Sequence, residues 1–423
     1  MPALCKQSDG ICDHGSLTLA EASQCSGWPR EMLEDASKQP EVVDDVSHFL
    51  SFVCYSDHSK AQMCVLRNGL EKLQLEDSLP RKFLELCAQH LDTVDCVLEA
   101  IDQEVGGQGD GLDGDVFWWK QGECRRKEER KGSMQSRLLR CRSAAGESGL
   151  VYIAECSHDH KEPHPLSGER SRTLTTKDVK DYAGGRLPMW DRGHVFIGAE
   201  GAGSCMHVDQ AWWSNICKNF LGTKLVALWD CARAEDALAA CRGELFRKPL
   251  TSKQRQVLCT ATRFALLSPG DVACFSGGVP HVTAVVGDRL NVTAYESFVN
   301  WSPQNADLLL RGALRPRDAP GVMARGPLHG LLDDITDCVR ECKVTAGFPV
   351  RAAPPHSGSC PEELLKDFSN VLRSRRRCAQ RLGSQPDAES DDAACSSSSE
   401  SSSVSEASDS PERKRRRISP DTQ

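Results

Sequence analysis

The sequence lacks the features of a membrane or secreted protein. No apolar run approaches the roughly 20 residues of a membrane-spanning helix, and the first ten residues hold no basic segment followed by an apolar one, so no signal peptide is predicted. The chain also lacks a Cys-x-x-Cys pair, although it has 21 cysteines in 423 residues. Because zinc fingers require such pairs, we predict no appended zinc finger and interpret the cysteines as reduced, mostly buried thiols.

Positive charge is in the minority along the chain. Lys and Arg number 52 against 60 Asp and Glu, which gives a formal net charge of -8. Direct nucleic-acid binding is therefore not expected, and neither is a membrane partner. Hydrophobic residues make up 39% of the chain, enough for a sizeable core in a protein that we predict stays inside the cell.

The residue pattern changes four times along the chain, which predicts five regions. Residues 1–45 are polar without a period and are predicted to be disordered. Helical spacing of apolar residues predicts a helical N-terminal region over 46–130. Residues 135–305 hold short strand-like runs between turns, typical of an antiparallel barrel or sandwich. A helical C-terminal region is predicted for 306–383, and a disordered, acidic, Ser-rich tail with a basic cluster for 384–423. The predicted fold class is α+β.

Two motifs in the strand-rich region offer metal ligands. His207 and Asp209 lie two residues apart in a strand-like segment, so their side chains are predicted to point to one side. A Pro-Gly-Asp turn and a later Gly-Pro loop deliver His281 at the start of a following strand. Two histidines and one carboxylate on one face form the facial triad of non-haem Fe(II) oxygenases. The alternative is a pair of hydrogen-bonded barrel histidines.

A second His-x-Asp pattern lies in the helical N-terminal region. His90 and Asp92 are two apart there, and such residues diverge by about 200° on a helix. We therefore predict that this pair shares no metal.

At this point the residues resemble a known family. The segment from His194 to Trp301 resembles the core of a Jumonji-C (JmjC) domain, covering about a quarter of the chain closely. The resemblance lies in the Gly-rich loop before the first metal motif, in Gly222-Thr-Lys224 leading into an apolar strand, in the Pro-Gly-Asp turn, and in the closing strand from Asn291. It implies a double-stranded β-helix barrel of the cupin (jelly-roll) type.

The resemblance also implies the roles of further residues. Fe(II) would be held by the two histidines and the aspartate, with 2-oxoglutarate and O2 as co-substrates. Lys224 would pair with the distal carboxylate of 2-oxoglutarate, because a dianion entering an apolar interior needs a charge partner. Ser204 and Thr293 would hydrogen-bond the same co-substrate, and Tyr182 is a candidate for a further contact. The chain departs from the family at Cys217, where many relatives carry Asn.

The implied activity is that of a 2-oxoglutarate-dependent dioxygenase that releases succinate and CO2. It would hydroxylate a protein side chain or demethylate N-methyl-lysine or N-methyl-arginine, as protein hydroxylases and histone demethylases of this family do. Two alternatives stay open: a catalytically inactive JmjC-like nuclear scaffold, and a cupin metalloenzyme that does not use 2-oxoglutarate.

Basic residues near the end of the sequence indicate where in the cell the protein is located and which partners it binds. Arg413–Arg417 form a compact basic cluster of the kind recognised as a nuclear localisation signal. We therefore predict a nuclear protein with a nuclear import receptor as one partner. The protein substrate is predicted to be a histone or another nuclear protein.

Overall fold

A computed structural model of the chain describes most residues between 17 and 305. The described ranges are 17–57, 60–105, 112–119, 126–145, 150–158, 189–209, 214–230, 249–276 and 278–300, with residues 245, 302, 304, 305, 366, 370, 373 and 374. Two units are distinguished, Met1–Arg381 and Leu382–Gln423, and every described residue belongs to the first. Within these ranges no helix is long and apolar enough to cross a membrane.

Eight α-helices form within the described ranges, and local sequence explains where several begin. Thr18 and Glu21 exchange hydrogen bonds as a capping box at the first helix, and the Asp45 carboxylate caps the third. The helices are α1 (Leu19–Ser26), α2 (Arg30–Leu33), α3 (Val46–Tyr55), α4 (Gly69–Lys72), α5 (Arg81–Gln89), α6 (Thr93–Val105), α7 (Met134–Ala145) and α8 (Ser252–Cys259). Short 3-10 helices cover Ala36–Lys38 and Glu76–Ser78.

Twelve strands in the described ranges form two sheets. The strands are β1 (Glu41–Val43), β2 (Met63–Leu66), β3 (Leu112–Trp119), β4 (Arg126–Lys127), β5 (Leu150–His158), β6 (Met189–Gly198), β7 (Ser214–Leu221), β8 (Thr223–Leu228), β9 (Arg263–Leu267), β10 (Val272–Ser276), β11 (His281–Val286) and β12 (Asn291–Val299). The larger sheet has the order β1-β2-β10-β7-β12-β6-β5-β3-β4 and the smaller one β11-β8-β9. Neighbours are antiparallel except β1 and β2, which are parallel.

The inner faces of the two sheets pack on one apolar layer. Because successive strand residues point to opposite faces, every second residue of a strand reaches this layer. Its buried members are Met63, Val65, Cys217, Ala273 and Phe275 from the larger sheet, Val226, Leu228, Ala265 and Leu267 from the smaller one, and the flanking Ala61 and Val279. We call the volume between these faces the inter-sheet space.

Helices cover the outer face of each sheet. The larger sheet packs against α3, α5, α6 and α7 through a second apolar cluster that includes Phe49, Phe83, Ile101 and Ile216. The smaller sheet packs against α1, α2 and α8 through a third, in which Trp28 is 1% exposed. Both sheets are therefore shielded from water on their outer faces, as sheets buried on two sides require.

Gly222 joins the two sheets, since it lies between β7 of the larger sheet and β8 of the smaller one. Its φ of +63° is in the left-handed region that glycine adopts without strain. A Cβ built at this position would lie 2.4 Å from the Leu290 carbonyl oxygen, so no side chain fits. Lys224 follows two residues later, and this turn directs its strand into the smaller sheet.

The prediction that residues 1–45 are disordered is wrong for the described residues 17–45. These carry α1, α2 and β1, and they bury Trp28, Met32 and Leu33. The elements are too short to show a sustained period. Their stability comes from end-capping and from contacts with residues far away in sequence: the Trp28 indole donates to the Leu245 carbonyl oxygen at 2.6 Å, 217 positions further along the chain.

The predicted boundary between a helical region (46–130) and a barrel (135–305) is also wrong. Strands β1 to β4 precede residue 135, yet they belong to the nine-stranded sheet. A short apolar run such as Met63–Leu66 has the same composition in a buried strand and in a buried helix, so periodicity cannot separate the two. The architecture is mixed α+β with a large, mostly antiparallel sheet, which is open and ends at β1 and β4.

The other predicted regions fall outside the described residues. The helical region 306–383 contributes only Lys366, Asn370, Arg373 and Ser374. The tail over 384–423, with Arg413–Arg417, is not among the described residues.

Candidate metal centre

A pair of backbone hydrogen bonds brings the two predicted metal motifs together. The His207 amide donates to the His281 carbonyl oxygen at 3.0 Å, and the His281 amide donates to the His207 carbonyl oxygen at 2.9 Å. His207 therefore forms an isolated antiparallel bridge with the first residue of β11. The strand-like segment predicted around His207 is reduced to this bridge, but the bridge suffices to hold both side chains in one place.

The three predicted ligands converge at one point. The Oδ1 atom of Asp209 lies 3.5 Å from Nε2 of His207 and 3.6 Å from Nε2 of His281. The three ligand atoms all lie within 4.8 Å of one another. Atoms bound at right angles to one ion at 2.0–2.2 Å are about 3 Å apart. The two distances from Asp209 to the imidazoles exceed this by about half an ångström, so a small contraction would bring the carboxylate and each imidazole to the separation found around a bound metal.

Neighbouring groups orient all three ligands. Nδ1 of His207 donates to the Cys205 carbonyl oxygen at 2.7 Å, and Nδ1 of His281 donates to that of Val279 at 3.0 Å. In a neutral imidazole this places the proton on Nδ1 and a lone pair on Nε2, which faces Asp209. The Asn215 amide donates to the other carboxylate oxygen of Asp209 at 2.6 Å. Such support is typical of a site that holds a metal.

The charge states suit a divalent cation. Burial raises the pKa of Asp209, but the adjacent imidazoles and the Asn215 amide outweigh it and lower this pKa to about 2. Burial, with His207 as the next contribution, lowers the pKa of His281 to about 4. At neutral pH the site therefore presents a carboxylate anion and a neutral His281, the forms that bind metals.

The centre is open on one side. The His207 side chain is 43% exposed and that of Asp209 29%, whereas that of His281 is only 6% exposed. A molecule from solvent would reach the centre past His207.

Comparison of the chain with protein-family models and with curated proteins gives no match. The site is thus defined by its own geometry, and the JmjC resemblance remains a prediction.

Lys224 is a buried, charged residue that faces the inter-sheet space. It is fully buried on β8, and among the described residues its Nζ has no hydrogen-bond partner. Nζ lies 4.9 Å from the ring centroid of Tyr295 and 5.7 Å from that of Phe196, which gives it two cation–π contacts. Burial lowers its pKa to about 8. A buried ammonium without a hydrogen-bonding anion is costly, and a carboxylate ligand would supply one.

Tyr295 is a site residue that the sequence interpretation missed. Strands β7, β12 and β6 place Cys217, Tyr295 and His194 in one row across the inner face. Within the described ranges, the buried Nδ1 of His194 has no hydrogen-bond partner, and the Tyr295 hydroxyl lies against the Cys217 thiol. The Phe275 ring connects this row to the centre, 6.2 Å from Tyr295 and 5.7 Å from His281 by centroids. Alternation from Thr293, two residues earlier, could have identified Tyr295.

Cys217 and Tyr295 face each other as neutral groups. Burial raises the pKa of Cys217 to about 11 and that of Tyr295 well above its ordinary value. Both therefore keep their protons at neutral pH. Cys217 and Tyr295 give this part of the inter-sheet space a thiol and a phenol.

Ser204 lies at the mouth of the inter-sheet space and pairs with Thr283. The two hydroxyl oxygens are 2.8 Å apart, and the Ser204 amide donates to the Thr283 hydroxyl oxygen at 3.2 Å. The pair has two hydroxyl protons, and the hydrogen bond between the two oxygens uses only one of them. The other proton can be donated to a ligand. Thr283, on the same strand face as His281, was not predicted as a site residue.

Thr293 is buried on the inner face, as predicted, but its hydroxyl is already engaged. It donates to Oδ1 of Asn291 at 2.8 Å, and Oδ1 of Asn219 lies 3.3 Å away. To donate to a co-substrate carboxylate it would have to exchange this bond. The remaining predicted contact, Tyr182, lies outside the described residues.

Proposed function

We propose that the protein is an Fe(II)- and 2-oxoglutarate-dependent dioxygenase of the JmjC type. One observation carries the proposal: the candidate metal ligands His207, Asp209 and His281 adjoin an interior in which Lys224 is buried with no hydrogen-bonding anion among the described residues. In this proposal the two sheets represent the cupin-type barrel of that family.

The residues present fit the proposed metal. His207, Asp209 and His281 would hold Fe(II) through two Nε2 lone pairs and one carboxylate oxygen, a donor set that leaves positions for other ligands. When bound, Fe(II) supplies the activation of O2 that couples 2-oxoglutarate decarboxylation to substrate hydroxylation. The protein's part is to hold the three donors in place: Asn215 fixes the carboxylate, and the backbone carbonyls of Cys205 and Val279 fix the imidazoles.

The residues present also fit a dicarboxylate. The Lys224 ammonium would pair with its distal carboxylate, and a charge-assisted bond is strongest where water is excluded. Tyr295 Oη and the spare hydroxyl proton of the Ser204–Thr283 pair would donate to the same molecule. The rings of Phe196 and Tyr295, whose centroids are 5.0 Å apart, lie together on one side of Lys224 and wall this end of the inter-sheet space with apolar surface.

The proposed primary substrate is a protein side chain. It would approach past the exposed edge of His207 and be hydroxylated, or demethylated where the hydroxylated carbon is an N-methyl group. The basic cluster Arg413–Arg417 supports a nuclear location and, with it, a histone or another nuclear protein as substrate.

The test is succinate release by the purified full-length protein with Fe(II), 2-oxoglutarate and O2. We expect release above background from the parent, and background release from the double variant His207→Ala, Asp209→Ala. His90→Ala is the matched control, because His90 belongs to the other His-x-Asp pattern. It pairs with Glu99 at 2.7 Å, and we expect parental release.

Binding data separate the competing functions. Titration with Mn(II) and then 2-oxoglutarate should show metal-dependent binding of the co-substrate. If neither Mn(II) nor 2-oxoglutarate binds, the result would contradict the proposed enzymatic function and favour a scaffold. Activity without 2-oxoglutarate that survives Lys224→Ala would instead favour a metalloenzyme of another kind.

A further inference from the structure

Two buried cysteines in the helical layer lie unusually close together. Cys87 on α5 and Cys96 on α6 have their Sγ atoms 2.9 Å apart, and their side chains are 2% and 0% exposed. The ten cysteines whose side chains the structure describes are all free thiols. A disulfide bond is about 2.05 Å long, so each sulfur would move by less than about half an ångström to form one.

The short connection between the helices fixes this approach. The Asp92 carboxylate accepts from the Val94 amide at 2.8 Å at the start of α6, and His90 reaches Glu99 one turn further at 2.7 Å. The sulfurs therefore meet because the backbones of the two helices place them together, and no long flexible side chain must rearrange.

We propose that Cys87 and Cys96 are a site of intramolecular disulfide formation by peroxide-class oxidants, joining α5 to α6. One thiol reacts with hydrogen peroxide to give a sulfenic acid and one water. The second thiol then attacks the sulfenic sulfur, forms the S–S bond and releases a second water. Two thiols and one peroxide thus give one disulfide and two waters, with two electrons passing from sulfur to peroxide oxygen.

The surroundings make this reaction slow. Burial, with the adjacent Cys96 as the next contribution, raises the pKa of Cys87 well above its ordinary value, so little of the reactive thiolate exists at neutral pH. The oxidant gains access when the helix pair opens locally, and reducing agents meet the same barrier afterwards. The disulfide is therefore formed slowly and retained.

The disulfide would stabilise the layer behind the candidate site. Both cysteines pack in the apolar cluster that also contains Ile216 and Phe220, the outward residues of β7. The inward residues of that strand include Asn215, which orients Asp209. The disulfide needs neither a metal nor 2-oxoglutarate, so the inference stands apart from the proposed function.

Peptide mapping tests the inference on the full-length, unmodified sequence. The only cysteines in the tryptic peptide 83–120 are Cys87 and Cys96, and no Lys or Arg precedes Lys120 within it. Reduced protein is treated with graded hydrogen peroxide under native conditions, and remaining thiols are alkylated in denaturant. We expect a growing fraction of this peptide to lack both alkyl groups, with a mass about 2 Da below that of the dithiol form.

Thermal melting gives the second measurement. Oxidation should raise the melting temperature by a few degrees, because the link restricts the unfolded chain. The rise should persist in Cys141→Ser, which removes another buried thiol of the same layer, and vanish in Cys87→Ser. Full alkylation of both cysteines in peroxide-treated folded protein would overturn the inference. Disulfides found only between molecules, or a Cys87–Cys96 disulfide formed only in denaturant, would also overturn the inference. Because peptide mapping uses the unmodified sequence, it tests the inference even if a variant fails to fold.

Discussion

Two buried lysines in consecutive strands of the chain should change the stability in opposite directions when each is replaced by Met. Lys218 on β7 forms an ion pair with Glu296 on β12, and both side chains are buried. Lys224 on β8 is equally buried, but among the described residues its Nζ has no hydrogen-bond partner. Replacement by Met keeps most of the side-chain volume and removes the charge in both cases. We expect Lys224→Met to stabilise the metal-free protein and Lys218→Met to destabilise it.

The magnitudes follow from the surroundings. The pKa of Lys224 falls from 10.5 to about 8 on folding, and at about 1.4 kcal/mol per pH unit this corresponds to a cost of about 3 kcal/mol. Lys224→Met removes that cost. Lys218→Met leaves Glu296 buried without its cation, which typically costs about 3–5 kcal/mol. The two variants should therefore differ by several kcal/mol in the free energy of unfolding.

The pH dependence gives an independent check. Below pH 8 Lys224 is charged in the folded and unfolded states, so the full cost is present. Between pH 8 and 10.5 the folded protein releases the proton while the unfolded chain still binds it, so the parent becomes more stable as pH rises. The advantage of Lys224→Met should shrink over the same interval.

Urea unfolding at pH 7.5 and at pH 9.5, followed by tryptophan fluorescence, measures both effects. A Lys224→Met protein less stable than the parent at pH 7.5 would refute the reasoning, because it would show that the ammonium is well paired in the free protein.

Four further outcomes are expected. Asp209→Asn should abolish Mn(II) binding in calorimetry, because it removes the anionic ligand; retained affinity would contradict the site. Asn215→Ala should weaken Mn(II) affinity about 10–100-fold, since it removes the hydrogen bond that orients Asp209, and an unchanged affinity would show that this bond is dispensable. Tyr295→Phe should keep the fold by circular dichroism but lower 2-oxoglutarate affinity in the Mn(II)-loaded protein. Equal affinity would remove Tyr295 from the site. Trp28→Ala should reduce the free energy of unfolding by about 3–5 kcal/mol, and a loss below about 1 kcal/mol would mean that the N-terminal segment adds little.

Part of the fold follows from the sequence because strands of the smaller sheet carry their own signal. Strands β8, β9 and β11 are short, apolar and bounded by turn residues, and these features predict their positions closely. The convergence of the candidate metal ligands could be predicted for a related reason. His207 and Asp209 are two residues apart and His281 begins a recognisable strand, so local pattern was enough to propose that they meet.

The missed elements depend on distant partners. Strand β7 escaped prediction because its pattern is inverted: Asn215, Cys217 and Asn219 point inward, while Lys218 points outward into an apolar layer. That arrangement is stabilised by distant partners: the Asn219 amide donates to the Leu267 carbonyl oxygen of β9 as well as to that of nearby Gly222, and Lys218 pairs with Glu296, 78 positions further along the chain. No local rule supplies such partners.

The two lysines show where sequence reasoning ends. Lys218 and Lys224 are only six residues apart, and both lie in strands among apolar neighbours. Neither the local composition nor the hydrophobic periodicity distinguishes them. Tertiary pairing gives one of them a carboxylate and leaves the other facing aromatic rings beside the candidate metal ligands. A buried ammonium with no hydrogen-bonding anion among the described residues lowers stability there, and such losses are typical of binding sites. If Lys224→Met both stabilises the protein and abolishes 2-oxoglutarate binding, the loss of stability and the binding function have one physical origin, the buried ammonium.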